Sequence, residues 1–493
     1  MATAGNAVGL GNLLRFPSKV ALYGGGAFII PYLVSLALLG LPLMWVEWMA
    51  GRYGGAKGHG STVGIIGTLF KSRRAKMLGR LIGVVGVAAP VLIIMYYLYI
   101  ESWTLGFSLS ALFGWLPEPI KTTNTAEALR PFGAFLAEYT RPTPFAYLVF
   151  WITVLLNWYV LQRGVRYGIE VLARYGMPLL IVMAIFLAVV IFFSRGPNDH
   201  WSALKGLEFI WKPDFSRIFD AKVWVEAAGQ IFFTLSLGMG AIATYASYVR
   251  EKDDIVVTGM ATASTNEFVE VVLGSAIAIP AAFVFFGPAS ISELASAGTF
   301  RIGFMSMPAA LNSLPGGQFY SFLWFFLLFI AAFTSSVALI QPLITFFEDE
   351  LRWSHTRAVA VAMITVVVGA HFSIFLPKFI DELDFWAGSF MLILFGLLEV
   401  ILFVWVFGPE NFHRELNKGA QIKLPGWLPY LTGTVSLGFL AIITVMWVTQ
   451  NLKDPSMLIT GGTGQWAARI VILVLIVWLG FYAVVSTPHE EEA

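Results

Sequence analysis

Two short glycine-rich stretches could bind small ions through their backbone. The first, GNAVGLGNLLRFP at residues 5–17, holds three glycines and a closing proline. In a helix interior, glycine costs about 1 kcal/mol and proline about 3 kcal/mol relative to alanine. The second, SLGMG at 236–240, repeats the G-x-G of the first. Where a helix unwinds, its carbonyl oxygens can coordinate a hard cation. The N–H groups that begin the next helical piece attract an anion.

The rest of the chain has the composition of a membrane protein. Of its 493 residues, 58% are hydrophobic and only 12% are charged, and the mean hydropathy is +0.76. A soluble protein of this length needs far more polar surface to cover its core. The net charge of +1 is too small to indicate a basic surface that binds nucleic acid, so nucleic acid is not expected as a partner. The absence of cysteine excludes disulfides and thiolate metal sites.

Windows of about 20 apolar residues predict twelve transmembrane helices and a single all-α, polytopic domain over 1–493. Only the connections 114–143, 194–221 and 287–317 are long, which leaves no room for a separate soluble domain. The predicted spans are 2–22, 27–50, 81–113, 144–162, 168–193, 222–248, 256–286, 318–347, 357–377, 384–407, 427–449 and 466–485.

The charges of two loops predict the orientation in the lipid bilayer. Residues 57–80 carry six basic side chains and no acid, whereas 114–143, on the opposite side, balances three basic with three acidic residues. By the positive-inside rule the first loop is cytoplasmic, and twelve spans then place both termini in the cytoplasm. The alternative interpretation of the basic cluster, a lipid-facing patch, leads to the same orientation.

The two glycine-rich stretches fall in the first and the sixth predicted span, which is the same place in two halves of five spans each. Paired interruptions at corresponding positions are the best sequence pointer to the midplane binding site of a transporter. The alternative is a close helix crossing through small residues, which is common in membranes. For one glycine pair that alternative is the better one. Two pairs in register, each flanked by hydroxyl or amide side chains, favour the binding site.

Seven stretches of the chain resemble the neurotransmitter:sodium symporter family, most closely its bacterial amino-acid members, from residue 4 to beyond 450. They are NAVGLGNLLRFP, GGGAFIIPY, GLPLMWVEWMAGRYGG, YYLYIESWTLGF, GQIFFTLSLGMGAIATYASY, FTSSVALIQPLITFFEDEL and DELDFWAG. The resemblance implies a leucine-transporter-like fold of twelve helices with discontinuous helices 1 and 6. Helices 1–5 (1–193) and 6–10 (222–407) would form a 5+5 inverted repeat, followed by helices 11 and 12 (427–485). The location implied is the inner (plasma) membrane of a prokaryote.

The function implied is a sodium-coupled symporter that imports a neutral, aliphatic or hydrophobic amino acid by alternating access. Leucine, alanine or a methionine-like amino acid would be its substrate. Helix 1 of the family has a further cytoplasmic stretch with a basic and an aromatic residue, whereas this sequence begins MATAGNAVG. We therefore expect a helix 1 shortened at its cytoplasmic end. The alternative function is an amino-acid-binding relative that cannot complete transport because the front of helix 1 is missing.

The resemblance implies two sodium ions as cosubstrates. The first would be bound by Ala7, Asn12, Thr234, Asn266 and the substrate carboxylate, and the second by Gly5, Val8, Ala331, Thr334 and Ser335. Ala331 and Thr334 are three residues apart, on one face of a helix that is otherwise apolar. Hydroxyls that bond back to carbonyls of their own helix are the alternative explanation of this TSS stretch. Beside the interruption at 5–8, the cation site is favoured.

By the same resemblance, the substrate pocket is lined by Ala7, Gly9, Leu10, Gly11, Ile93, Tyr97, Phe233, Thr234, Ser236, Met239 and Leu339. Monoamine carriers of the family have an aspartate at the position of Gly9. A glycine there leaves the carboxylate to the ligand, which favours an amino acid. The pocket offers no charged side chain, which argues against lysine or glutamate as substrate. Met239 is flexible and makes the pocket adaptable.

Three further charged residues match the gates of the family. Arg15 and Asp384 match the outer ion pair, with Tyr97 and Phe233 as the aromatic lid below it. Asp349 matches the acid of the inner gate. A solvated helix end in a run of charges is the alternative for Asp349.

Glu47, Glu101, Glu270 and Glu399 are among the glutamates that lie within apolar spans. Glu270 follows Asn266 by one helical turn on the same face, and could supply the negative charge that two sodium ions require. It would be ionised with sodium bound and would take up a proton afterwards, so no chloride requirement is expected. The alternative is a protonated Glu270 that only hydrogen-bonds a neighbouring helix. Glu47, Glu101 and Glu399 are interpreted as buried hydrogen-bonding groups.

Other classes of function fit the sequence less well. A channel needs a lining repeated around a pore, and here the polar residues gather at one place. An enzyme is not expected, because the six histidines are scattered and no H-E-x-x-H motif is present. A primary pump would need a G-x-x-x-x-G-K-[ST] loop, which the sequence lacks. The oligomeric state stays open, with a homodimer as one option.

Overall fold

The computed structural model describes residues 5, 7–120, 122, 124–296, 298–451 and 460–486. Over these residues the protein is helical and contains no strand. Ten of its helices are long and apolar enough to cross a membrane. They are α2 (Gly26–Gly55), α3 (Arg73–Leu112), α4 (Pro144–Gln162), α5 (Val165–Phe192), α7 (Ile255–Phe286), α8 (Gly317–Leu351), α9 (His355–Phe375), α10 (Phe379–Val406), α11 (Leu428–Thr449) and α12 (Thr463–Val485).

These helices correspond to ten of the twelve predicted spans, with most bounds within five residues of the prediction. The largest difference is the start of α3, which is Arg73 and not residue 81. The Ser72 hydroxyl accepts a hydrogen bond from the Ala75 N–H at 3.3 Å and so caps the helix at this earlier point. The basic residues at the start of α3 are therefore helical. The sequence prediction missed them because it searched for windows of about 20 apolar residues, and these residues are polar.

The sixth predicted span is split into two helices, α6a (Ala221–Thr234) and α6b (Ala241–Ala246). Between them, Ser236, Gly238 and Gly240 have φ angles of 55°, 69° and 63°. Glycine adopts positive φ without steric cost, which explains two of these three positions. Ser236 is a non-glycine residue held in the left-handed region, as is common at functional sites.

The first predicted span is also interrupted. Its helical part, α1 (Phe16–Leu22), follows a π-helical turn at Gly11–Arg15, and residues 8 and 9 form a non-helical bend before it. The Asn12 side chain accepts a hydrogen bond from the Gly9 N–H at 2.8 Å and stabilises the bend. Residues 2–4 and 6 of the predicted span 2–22 lie outside the described residues. Since neither α1 nor α6 is one continuous membrane-length helix, their membrane crossing stays a prediction.

Helices α3, α7 and α8 are the most deeply buried of the ten, since their most apolar stretches are 83%, 83% and 89% buried, whereas that of α12 is 22% buried. The first interruption lies against α3 and α8, because the Leu10 N–H donates to the Tyr97 hydroxyl of α3 and the Ser335 hydroxyl of α8 donates to the Val8 carbonyl. The second interruption also lies against α3, since a Cβ at Gly240 would be 2.6 Å from the Gly86 carbonyl oxygen. The two unwound segments are thereby brought to one place inside the helix bundle.

The interruption of α6 predicts a difference between two glycines. A Cβ at Gly238 would lie 2.3 Å from the Leu392 carbonyl oxygen, and the residue has positive φ. We expect Gly238→Ala to destabilise the protein by at least about 1–2 kcal/mol. A Cβ at Gly229 of α6a would meet no heavy atom of the described residues within 4 Å, so Gly229→Ala is the matched control. The measurement is the apparent melting temperature in detergent, and equal values for both variants would contradict the argument.

Candidate functional site

The two interruptions surround a small cavity at the centre of the bundle. The structure brings all eleven residues predicted for the substrate pocket to this cavity, together with Asn12 and Ser335. They come from the first segment, α3, α6 and α8. The lining is Ala7, Gly9, Leu10, Gly11, Asn12, Ile93, Tyr97, Phe233, Thr234, Ser236, Met239, Ser335 and Leu339.

One side of the cavity is polar and closely packed. The Leu10 N–H lies 3.3 Å from the Tyr97 hydroxyl oxygen. A Cβ on Gly9 would lie 2.7 Å from the Ser335 Oγ and 3.1 Å from the Tyr97 hydroxyl, so only glycine leaves space at this point. The lining also contains Ile93 and Met239, which are buried apolar residues. The cavity thus combines amide and hydroxyl groups with an apolar wall, and none of its described lining residues is charged.

The side-chain amide of Asn266 and two backbone carbonyl oxygens meet beside this cavity. One end of the amide lies 3.0 Å from the Ala7 carbonyl oxygen and 3.3 Å from the Thr234 carbonyl oxygen. With its nitrogen at this end the amide donates to both carbonyls, and with its oxygen there the three oxygens can bind a cation. Asn12 is also here, but it directs its amide nitrogen to the Asn266 Oδ1 at 2.7 Å, because its own oxygen accepts from Gly9. The four predicted ligands of the first sodium site are therefore neighbours.

The residues predicted for the second sodium site are grouped between the first segment and α8. The Ser335 hydroxyl donates to the Val8 carbonyl at 3.3 Å, and a Cβ on Gly5 would lie 3.5 Å from the Thr334 Cβ. The Thr334 hydroxyl is 3.1 Å from the Ala331 carbonyl of its own helix. The back-bonding considered from the sequence is thus present at Thr334, whereas Ser335 reaches across to the unwound segment.

Glu270 is completely buried and accepts hydrogen bonds from several directions. Asn12 Nδ2 and Gln230 Nε2 donate to its carboxylate, each at 2.9 Å, and the Tyr32 hydroxyl donates at 3.2 Å. The Thr234 hydroxyl also contacts it. Donors from three other elements converge on this carboxylate, directly behind the oxygen group of Asn266. Tyr32 and Gln230 are functional neighbours that the sequence reasoning did not identify.

A second, larger cavity adjoins the first on the side of Arg15 and Asp384 and is called the upper cavity here; Leu10, Gly11, Tyr97 and Phe233 line both. The aromatic rings predicted as a lid therefore separate the two spaces. Arg15 and Asp384 both line the upper cavity. The Arg15 guanidinium lies over the Phe233 ring, 4.5 Å from its centroid.

The predicted outer gate residues are neighbours without forming an ion pair in this conformation. Asp384 accepts from the Tyr96 hydroxyl at 2.7 Å. Within the described part of the chain, Arg15 makes no ion pair, and its Nη1 is buried without a hydrogen-bond partner. An ion pair of 2.5 Å between Lys19 and Glu226 ties α1 to α6a nearby. No spacing in the sequence could have paired these two residues, which are 207 positions apart.

Asp349 lies at the opposite end of the bundle, near the end of α8. Its Oδ2 accepts from the Gly60 N–H at 2.6 Å. Its neighbour Glu350 forms a buried ion pair of 2.5 Å with Arg80 and accepts from the Ser61 hydroxyl at 2.9 Å. The end of α8 is therefore fastened to the 57–80 region, and Arg80 is a buried partner, not a surface charge of the basic loop.

The other glutamates within apolar spans have different surroundings. Glu47 of α2 accepts from the Gly238 N–H at 2.7 Å and so satisfies a backbone donor freed by the unwinding of α6. Glu101 of α3 accepts from Asn157 of α4 at 3.0 Å. The prediction of buried hydrogen-bonding groups describes both. Glu399 has a buried carboxylate oxygen without a partner among the described residues.

Comparisons with known proteins agree with this architecture. The sequence model described as "Sodium:neurotransmitter symporter family" matches residues 1–130 and 136–487. An uncharacterized sodium-dependent transporter of Methanocaldococcus jannaschii is 28% identical over 491 residues, which is 98% of this chain and 94% of the relative. The sodium- and chloride-dependent neutral and basic amino acid transporter B(0+) of Mus musculus is 24% identical, over 87% of this chain and 74% of the relative. The crystal structure of MhsT in complex with L-phenylalanine matches with a TM-score of 0.76 and 27% identity, over 90% of this chain and 96% of that chain.

Proposed function

The chain belongs to the sodium:neurotransmitter symporter family, and from this premise we propose that it imports a neutral, aliphatic or hydrophobic amino acid together with two sodium ions. The observation that carries the proposal is the central cavity, where the unwound segments of α1 and α6 meet a group of oxygens. Alternating access would be provided by the two five-helix halves, 1–193 and 222–407, as inverted repeats. We place the protein in the inner membrane of a prokaryotic cell. Because residues 57–80 have an excess of basic side chains, we place this region and both termini in the cytoplasm.

The oxygen group beside the cavity supports a first sodium site. Hard oxygen donors are the ligands that small hard cations prefer. In this proposal, the Ala7 and Thr234 carbonyls, the Thr234 hydroxyl and the Asn266 amide oxygen bind the ion. Asn12 joins them by turning its amide oxygen toward the ion. The substrate carboxylate completes the shell, so the ion and the substrate would bind cooperatively.

The second sodium ion would lie between the first segment and α8. Its ligands would be the carbonyls of Gly5, Val8 and Ala331 and the hydroxyls of Thr334 and Ser335. The contact of Ser335 with the Val8 carbonyl supports this assignment. An ion held there would connect the unwound segment to the central α8.

The substrate is assigned from the chemistry of the cavity lining. Its carboxylate would contact the Leu10 and Gly11 N–H groups and the Tyr97 hydroxyl, while its ammonium group would face carbonyls of the 233–236 turn. Gly9 leaves the space that the carboxylate needs. The apolar wall of Ile93, Met239 and Leu339 would take the side chain. Because no charged residue is among the described lining of the cavity, a charged amino acid would lose hydration without gaining a partner.

We further propose that Glu270 is the internal anion of the site. Two sodium ions bring two positive charges into a low-dielectric environment, and the substrate carboxylate balances only one of them. An uncompensated buried charge is costly. Glu270 is fully buried near Asn266 and accepts from the side chains of Asn12, Tyr32, Gln230 and Thr234. It would therefore supply the second negative charge, without chloride, and would take up a proton when sodium leaves.

The first prediction is that substrate binding requires sodium. Leucine, alanine, methionine and tryptophan are titrated against the purified protein in sodium and in potassium. We expect tight binding in sodium only, because the ligand carboxylate is part of the proposed sodium shell. Equal affinity in both salts would refute the proposal. Uptake of labelled leucine into proteoliposomes, with and without a sodium gradient, then separates transport from binding. Sodium-dependent binding without uptake would favour the binding-only alternative.

The second prediction concerns Gly9. Decarboxylated analogues such as isoamylamine should bind poorly, since they cannot complete the first cation shell. Gly9→Asp should abolish amino-acid binding, because it places a second carboxylate beside that of the ligand, in space where even a Cβ lies 2.7 Å from the Ser335 Oγ. Gly229→Asp, in open space on α6a, is the control. Tight binding of the amine to the unmodified protein would contradict this assignment.

The third prediction concerns the anion. Glu270→Ser removes the internal carboxylate and leaves a small space lined by Tyr32, Gln230 and Thr234. Amino-acid binding should then depend on chloride, while the unmodified protein binds equally well in chloride and in gluconate. Glu399→Gln, a buried glutamate outside this group, serves as control and should remain independent of chloride. If the Glu270→Ser variant binds equally in the two salts, Glu270 is not the internal anion.

A further inference from the structure

The side-chain amide of Asn266 has two ends that meet different surroundings. Its Oδ1 faces Asn12 Nδ2 at 2.7 Å and the carbonyl oxygens of Ala7 and Thr234 at 3.0 and 3.3 Å. Its Nδ2 faces the Thr234 hydroxyl at 3.1 Å and Glu267 Oε1 at 3.3 Å. Asn266 is fully buried, so water cannot replace any of these partners.

The opposite orientation of this amide is also chemically reasonable if only Ala7 and Thr234 are considered. The nitrogen would then donate to the two carbonyls at 3.0 and 3.3 Å, and the oxygen would accept from the Thr234 hydroxyl at 3.1 Å. That orientation would present an N–H group to the oxygens, where a cation needs an oxygen ligand. The direction of one amide therefore decides whether these oxygens can bind a cation.

Glu267 distinguishes between the two orientations. Its Oε1 accepts from Asn266 Nδ2 at 3.3 Å, and its Oε2 accepts from the Tyr32 hydroxyl at 2.8 Å. With the amide reversed, the Asn266 oxygen would face a Glu267 carboxylate oxygen, and with Glu267 ionised two acceptors would oppose each other in a buried place. Asn12 supports the same orientation in this structure. That support ends if Asn12 turns its oxygen to the ion, whereas Glu267 can accept from Asn266 in both cases.

We propose that Glu267 is a positioning residue that directs the amide oxygen of Asn266 toward the sodium ion. This inference rests on the proposed function, because it assumes the first sodium site. Glu267 does not contact the ion itself. It acts in the way that outer hydrogen-bond partners orient the ligands of a metal, and the loss of such a partner typically lowers metal affinity about tenfold to a hundredfold.

The direct test measures binding of radioactive sodium to the purified protein in the presence of leucine. Glu267→Ala should weaken apparent sodium affinity about tenfold or more, with little change in leucine affinity at saturating sodium. Glu267→Gln keeps an oxygen that can accept from Asn266 and should retain most of the affinity. Glu267→Met replaces the alanine variant if that variant does not fold. Thr265→Ala, whose hydroxyl donates to the Ala261 carbonyl of its own helix, is the control.

A double-mutant experiment separates orientation from general stability. Asn266→Asp has two equivalent oxygens, so it has no amide direction to select. In that background Glu267→Ala should no longer weaken sodium binding, and should strengthen it if the two carboxylates repel each other. An equal loss in both backgrounds would mean that Glu267 is only structural. If the Asn266→Asp variant binds no sodium, the comparison of Glu267→Ala with Glu267→Gln and Thr265→Ala decides whether Glu267 positions the amide.

The outcomes also distinguish the two proposals. If the unmodified protein binds no sodium, the proposed function fails, and this inference fails with it. If the unmodified protein binds sodium and Glu267→Ala binds it as tightly as Thr265→Ala does, only the role of Glu267 is refuted.

Discussion

The constraint on which the rest of the structure depends is the need to satisfy backbone hydrogen-bonding groups inside a hydrocarbon layer. A helix satisfies its own groups, and an unwound segment does not. Two unwound segments are tolerated here because they meet each other and α3 and α8 at one place. Glu47 accepts from Gly238, and the Tyr97 hydroxyl accepts from Leu10. Other backbone groups of these segments border the central cavity, so the same unwinding that would destabilise the fold creates the proposed binding site.

Charge is the second organising feature, and it is kept apart from the central cavity. No charged side chain is among the described residues that line the cavity, whereas Glu270 lies beside it and accepts from four side-chain donors. In the proposed function, a carboxylate in this position compensates cations without competing with the ligand. Glu267 lies one turn earlier on α7, contacts Asn266, and shares Tyr32 with Glu270. One short stretch of α7 thus supplies a proposed cation ligand, its positioning residue and the proposed counter-charge.

The residues predicted as gates have partners that the sequence did not predict. Arg15 and Asp384 line the same upper cavity, yet each has a different partner, the Phe233 ring and the Tyr96 hydroxyl. The upper cavity is therefore bordered by a guanidinium and a carboxylate that are not paired with each other. At the other end, the Glu350–Arg80 ion pair holds α8 to the 57–80 region.

The sequence by itself determined the membrane class, ten of the spans and the two interruptions, because hydrophobic length and glycine placement are local properties of the chain. It also predicted the relation of Asn266 to Glu270, since residues one turn apart share a helix face. The pocket residues came from family resemblance, and the structure places them around one cavity. Only the tertiary structure decided the partners between helices, such as Glu47 with Gly238, 191 positions away. The physical reason is that spacing reports which side chains share a face of one helix. Which faces meet, and how a buried amide is turned, depends on the packing of all helices together.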